Sequence, residues 1–201
     1  MAFADAELSR IGRGRALDIG CGAGRNAVPL AARGWDVVGI DRAMAMLVAA
    51  AGRARDEQAG NRYRGARASM EQLPVASRSC HLVIAHGIWN LARSDDEFRA
   101  GVREAGRVAR DGAALFVFTF SRSTLPGHAQ PLAGQSFTFT SFSAESQVFL
   151  TREQLIDELA AAGFDPDPDV PLEELNPRRP GMLATAGSPV IWQAAFRRRQ
   201  P

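Results

Sequence analysis

The stretch ALDIGCGAGRNAVPLAARGWDVVGID, residues 16 to 41, constrains this chain more than any other part of it. Gly20, Gly22 and Gly24 fall between two apolar runs, and Asp41 closes the second run. A short apolar strand delivered into glycines and followed at once by a helix lets a ligand approach main chain where side chains would collide. An acid at the end of the second strand can accept from the two hydroxyls of a ribose lying across the sheet's C-terminal edge. Together these features describe a nucleoside-bearing cofactor at a topological switch point.

The rest of the chain continues the alternation of short apolar runs with helical patterns, which predicts an α/β fold with a mostly parallel sheet and helices on both faces. Strands are expected at 16–19, 36–40, 62–66, 81–85 and 114–120, with a closing strand at 189–196. Helices are expected at about 25–33, 44–56 and 95–110. The last opens with Ser94-Asp-Asp-Glu97, in which Ser94 accepts from the Glu97 amide and Glu97 reaches back, and Asp111-Gly112 ends it. A further helix starts at the box-like Thr151-Arg-Glu-Gln154, buries Leu155, Ile156 and Leu159, and stops at Gly163. Residues 121–150 break the rhythm: a Pro- and Gly-containing loop is followed by the alternating SFTFTSF, which reads as an edge strand. Loops this long usually serve a site, and an inserted hairpin without a catalytic part is the alternative.

With 201 residues, 46% of them hydrophobic, the chain has core enough for a single domain over 1–201, and two would be cramped. There is no lysine, so all 24 basic residues are arginine, which excludes Schiff-base chemistry and the GK[ST] phosphate loop. A net charge of +2 is too even for a nucleic-acid footprint or an anionic membrane partner. The two cysteines, Cys21 and Cys80, lack the spacing of a disulfide framework or a zinc site. The opening residues lack a signal-peptide core, and no apolar run approaches the ~20 residues that span a bilayer. A cytoplasmic protein without metal is the expectation.

Two nucleosides compete for the glycine loop. Gly22-Ala-Gly24-Arg-Asn-Ala27 satisfies the loose nicotinamide fingerprint GxGxxA, but that register starts two residues too far from the strand and leaves Asp18 without a role. In the other register Asp18 orients the loop and, directly or through water, meets a cationic amino group. S-adenosylmethionine carries a free ammonium and NAD does not. An ordinary strand-end acid is the plain reading of Asp18.

The segment LDIGCGAGRNAVPLAARGWDVVGID resembles motifs I and II of the class I S-adenosylmethionine-dependent methyltransferases. GIDRAMAML is similar to that family's acidic ribose site and the helix after it. ASMEQLPVASRSCHLVIAHGIWNLA resembles its adenine-pocket motif and fourth strand, and AGRVARDGAALFVFTF the helix, turn and fifth strand that follow. Gly24-Arg25-Asn26 is closest to the small tellurite/thiopurine-type branch. The resemblance implies a Rossmann-like, seven-stranded sheet and S-adenosylmethionine as cofactor, with S-adenosylhomocysteine as product. It implies cofactor contacts from Asp18, Gly20, Cys21, Gly22, Gly24, Arg25, Asn26, Asp41, Arg42, Ser69, Met70, Glu71 and His86. Ser69 stands where many relatives place the Asp that accepts from the adenine amino group, and the Met70 amide is the expected donor to the ring. Ala43 replaces a frequent helix-capping Ser, a loss of ~1 kcal/mol at the start of that helix. His81 replaces the usual Asp at the head of the fourth strand. The short segment before the first strand implies a thin or missing lid helix, with 121–150 controlling access instead.

Methyl transfer in that family is an in-line displacement needing no metal, and needing a base only when the acceptor is protonated. His86 is the candidate base or pocket residue, with a satisfied strand-end histidine as the alternative. Trp89 reads as a wall of the methyl-transfer pocket or as core. Asn90 reads as a pocket hydrogen-bonder or a turn cap. His128 is a second base candidate on the acceptor side. Arg178 and Arg179 read as solvated, and Asn176 lies near where the tellurite branch carries a histidine. Nucleic-acid methylation finds no support, because AHGIWN is not an [ND]-P-P-[YF] turn and Cys80 lacks a preceding proline and reads as a buried small residue. The reading is a small-molecule methyltransferase. The alternatives are a non-catalytic S-adenosylmethionine or S-adenosylhomocysteine-binding sensor or partner subunit, and, more remotely, a nicotinamide oxidoreductase. Oligomeric state is left open.

Overall fold

The structure is a computed structural model, and it describes residues 1–140, 145–177 and 189–200. In chain order the first half contains α1 (Ala2–Ile11), β1 (Arg15–Ile19), α2 (Ala27–Ala32), β2 (Asp36–Asp41), α3 (Met44–Asp56), β3 (Tyr63–Arg67) and β4 (Cys80–His86). The second half contains α4 (Asp95–Val108), β5 (Ala109–Phe120), β6 (Thr138–Thr140), β7 (Ser146–Val148), α5 (Arg152–Ala161), β8 (Phe164–Pro166), β9 (Glu173–Leu175) and β10 (Ile191–Arg198).

The main sheet runs β3-β2-β1-β4-β5-β10-β8, with β9 also paired to β10. β1 to β5 are mutually parallel, β10 is antiparallel to β5, and β8 and β9 are antiparallel to β10. The sheet is the expected one, except that two short strands share its last position. Alternate residues of the central strands supply the two cores, as the two-residue period of a strand requires. Leu17, Ile19, Val83 and Ala85 pack toward the α4 and α5 side, while Ala16, Leu82 and Ile84 pack with α2, α3 and Ala4 of α1. Because β2 and β3 lie on one side of β1 and β4 on the other, the connections diverge above the C-terminal ends of β1 and β4, which opens a crevice there.

Several expectations need correction. α4 ends at Val108 rather than at Asp111-Gly112, and β5 begins immediately at Ala109, pairing with Cys80. The register then shifts before Leu82 meets Ala114, so Asp111-Gly112 is an irregularity within the strand, with Gly112 at φ 72°. Glu97 does not close a capping box on Ser94. Ser94 accepts from the Glu97 amide at 3.1 Å, but the Glu97 carboxylate takes the Arg93 amide at 2.7 Å. The box at Thr151 and Gln154 is complete. SFTFTSF is not seen as an edge of the main sheet: its described part contributes β6, which among the described residues pairs with β7. A helix does precede β1, but α1 packs away from the crevice. Its Ala4 carbonyl accepts from Trp35 Nε1, its Phe3 meets Phe116, and its Glu7 pairs with Arg197.

Candidate active site

The crevice is built from three loops. β1 ends in Ile19, and Gly20 turns the chain with φ 71°; a Cβ there would lie 2.8 Å from the Ile88 side chain, so that position is closed to other residues. Gly24, at φ 81°, would press a Cβ to 2.6 Å from Val28, the side chain that seats the start of α2. Between them, the Gly22 amide donates to Asp41 Oδ2 at 2.9 Å. The other oxygen of Asp41 accepts from the Ala43 amide at 2.8 Å. Asp41 therefore joins the glycine loop to the start of α3, whose N-cap Ala43 makes no side-chain cap hydrogen bond.

Asp18 lies beneath this loop, 1% exposed. Its Oδ2 accepts from the Ala27 amide at 3.1 Å, at the N-terminus of α2, and its Oδ1 has no partner among the described residues. Burial pushes its carboxyl up to about 7, against the Ala27 amide, the Asn26 side chain and the Arg25 charge, which pull it down. A buried carboxylate with an unsatisfied oxygen is a site missing a cationic or donor partner.

A cavity of about 310 Å³ opens over the loop, lined by Gly20, Asp41, Arg42, Met70, Glu71, Gly87 and Glu97 with the apolar plates Ile40, Ala43, Ala68, Ile88 and Leu91. Its chemistry suits a flat, polar-edged ring followed by a diol. Ser69 does not line it; its hydroxyl serves the Glu71 carboxylate. Burial pushes Glu71 up, but hydrogen bonds from Ser69, its own amide and Glu97, with the Arg42 charge, bring it below the usual carboxylate range. The negative charge that Ser69 lacks is thus supplied by the neighbouring Glu71. Glu97 was legible only as a helix cap, and Ile88 and Leu91 only as apolar residues after a strand.

The remaining expected residues divide. Cys21 contributes only its backbone, because its thiol is buried beside the Tyr63 hydroxyl, 3.9 Å away, and burial pushes it up to about 12. Trp89 is fully buried and meets Phe98 edge to face, as its core reading has it, and Asn90 is 3% exposed; neither lines the cavity, whose apolar lining includes Ile88 and Leu91. His128 is exposed in the loop after β5 and lies outside the cavity. His81 accepts the Arg15 amide at Nδ1, 3.2 Å, at the opposite edge of the sheet. Cys80 is buried. Asn176 follows β9 at φ 55°, and Arg178 and Arg179 lie outside the described residues.

His86 ends β4. Its ring stacks on Phe118 with centroids 4.2 Å apart and planes 5° from parallel, and Arg25 Nη2 lies 2.9 Å from its Nδ1. Burial, then the Arg25 charge, holds the imidazole below its ordinary value.

Residues 16–112 match the family described as Methyltransferase domain. Over that stretch the chain is similar to methyltransferase domains, and its fold is that of the class I S-adenosylmethionine-dependent methyltransferases. One relative of this chain is the ubiquinone biosynthesis O-methyltransferase of Azorhizobium caulinodans, 30% identical over 154 residues. That match covers 75% of this chain and 58% of the relative's length. Among solved structures, an S-adenosylmethionine-dependent methyltransferase from Methanosarcina mazei superposes with a TM-score of 0.76 at 19% identity, covering 94% of each chain. The 1,6-didemethyltoxoflavin-N1-methyltransferase of Burkholderia thailandensis, solved with that acceptor and S-adenosylhomocysteine, gives 0.72 at 18% identity over 98% of this chain and 77% of the other. These two likenesses establish the shared fold. Among the described residues, no helix is long and apolar enough to cross a membrane, and no cluster of metal-ligating side chains occurs.

Proposed function

We propose that this protein is a methyltransferase that binds S-adenosylmethionine in the crevice and transfers its methyl group to a small-molecule acceptor. The observation that carries the reading is the continuity of the cavity from Gly20, over Asp41, to the carboxylates of Glu71 and Glu97, above a buried Asp18 with an unsatisfied oxygen. In this reading Asp18, with Asn26 at the same helix start, faces the ammonium end. The Gly20 to Gly24 main chain receives the methionine portion, with Arg25 at its rim. Asp41 retains lone pairs on both oxygens for the ribose hydroxyls. Ala43 and Arg42 cover one side of the adenine and Ile88 and Leu91 the other, while the Met70 amide and the Glu71 carboxylate meet its polar edge.

The bound cofactor supplies a methyl group on a positively charged sulfur, already activated for displacement. The protein's share is to hold that group facing the acceptor and to exclude water. The B. thailandensis relative is named for methylating a small molecule, which supports an acceptor of that class. Two buried free cysteines fit a reducing compartment such as the cytoplasm.

Calorimetric titration with S-adenosylhomocysteine tests the binding half. Wild type is expected to bind, and Asp41→Ala to lose at least about tenfold in affinity, the scale of one charge-assisted hydrogen-bond pair. Absence of heat with wild type at millimolar ligand overturns the reading. Transfer of labelled methyl to any small acceptor separates an enzyme from a silent binder.

A further inference from the structure

His86 immediately precedes Gly87 of the cavity lining, and its contact with Arg25 bears on which of its ring nitrogens carries a proton. A guanidinium has donors and no acceptor, so at 2.9 Å the Nδ1 of His86 must present its lone pair, which places the ring proton on Nε2. The ring is pinned flat against Phe118, and among the described residues Arg25 is the charged group that acts on it. A proton arriving at Nδ1 would meet a cation face to face.

We propose that His86 is held neutral as the Nε2–H tautomer and takes no proton, and that the site accepts nucleophiles already anionic at neutral pH, with Arg25 receiving their charge. The inference rests on the methyltransferase reading above. The acceptor's lone pair forms the bond to the methyl carbon as the carbon–sulfur bond breaks, and that bond's electron pair remains on sulfur. An anionic acceptor and a sulfonium leave two neutral products, so no proton has to be removed. Thiolates and acidic phenolates satisfy this requirement; neutral alcohols and ammonium groups do not.

The other carboxylates of this edge each already accept hydrogen bonds, Glu71 from Ser69 and its own amide. Asp41 accepts two amides, Glu97 accepts from Arg93, and Glu174 accepts from the hydroxyls of Ser121 and Ser123. Asp18 lies under the loop, on the Ala27 amide. His128 is exposed and does not reach the cavity. Residues 141–144 and 178–188 contain no His, Asp, Glu, Cys or Tyr in their sequence and add two arginines.

Nitrogen NMR of the three histidines, with His86 assigned by its loss in His86→Gln, reads tautomer and charge directly. His86 is expected to stay neutral, protonated on Nε2, well below the ordinary ~6.5. In Arg25→Gln its titration is expected to return toward that value. A proton on Nδ1, or titration near ~6.5 in wild type, overturns the proposal. In parallel, the pH dependence of methyl transfer to benzenethiol and to the less acidic benzyl mercaptan is compared. The half-maximal pH is expected to follow each thiol's own acidity, in wild type and, whatever its rate, in His86→Gln. A midpoint common to both thiols and abolished in His86→Gln overturns it, as does a protein that binds S-adenosylhomocysteine but methylates neither thiolate. Failure to bind S-adenosylhomocysteine overturns the function reading instead, and the NMR still decides the state of His86.

Discussion

Asp18 links the stability of the apo protein to its affinity for a cationic ligand. In the unfolded chain the group ionises at ~3.9, whereas burial in the folded protein moves it to about 7. Between those values the folded state holds the extra proton, so the group's contribution to stability is complete below ~3.9 and is lost as the pH rises to about 7. Asp18→Asn removes that loss. Relative to wild type, the variant is expected to gain about 1–4 kcal/mol between about pH 4 and about pH 8, read from urea midpoints at the two pH values. The same substitution is expected to weaken S-adenosylhomocysteine binding at least about tenfold at about pH 8, because a neutral amide replaces the charge that the ammonium requires. A variant that binds as well as wild type would remove Asp18 from the site.

At the scale of elements, the segment between β5 and α5 is secured by one buried acid. Asp95, the first residue of α4 and 4% exposed, accepts from the Ser136 amide at 2.6 Å and the Thr138 hydroxyl at 2.7 Å. Its own amide donates to Gln135 Oε1 at 2.7 Å. Asp95→Ala leaves buried donors unpaired, and a cost of about 2–4 kcal/mol is expected. Thermal denaturation reads the loss, and faster proteolysis within 121–150 locates it. The sequence showed α4 because Phe98, Val102, Ala105 and Val108 recur at helical spacing, and all four are buried. It did not show where α4 ends. Apolar period alone does not distinguish a last helical turn from a first strand residue, and pairing of Ala109 with Cys80 decided the matter. The alternation in SFTFTSF announced a strand but not its partner, since one edge offers the same backbone groups to any neighbour.

Across the whole molecule, Arg197 of β10 joins parts far apart in the chain. It donates to Glu7 of α1 at 2.7 and 2.8 Å and also pairs with Asp167, before β9. Both carboxylates are at least nine-tenths buried, at 5% and 4% exposure. Arg197→Met is expected to destabilise the protein by about 3–5 kcal/mol at neutral pH, because two buried charges lose their common partner. Burial raises Glu7, but Arg197 and Arg10 outweigh it and hold its carboxyl below the usual range. Its contribution is therefore present above the unfolded value of ~4.3 and is lost as the pH falls through the lower folded value. The penalty in Arg197→Met should shrink in acid, which equilibrium unfolding at about pH 3 and about pH 7 checks.

The sequence by itself determined the crevice. Gly20, Gly24, Asp18 and Asp41 are near neighbours along one strand-loop-helix-strand unit, and bare main chain and strand-end acids have local consequences that a reader can follow without coordinates. Only the tertiary structure decided which side chains face the crevice. Glu97 enters it from a helix that begins beyond β4, Trp89 turns into the core while Ile88 and Leu91 form the wall, and Arg25 crosses from the glycine loop to fix the tautomer of His86. Those meetings depend on distances between residues remote in sequence, which packing sets and local pattern does not encode.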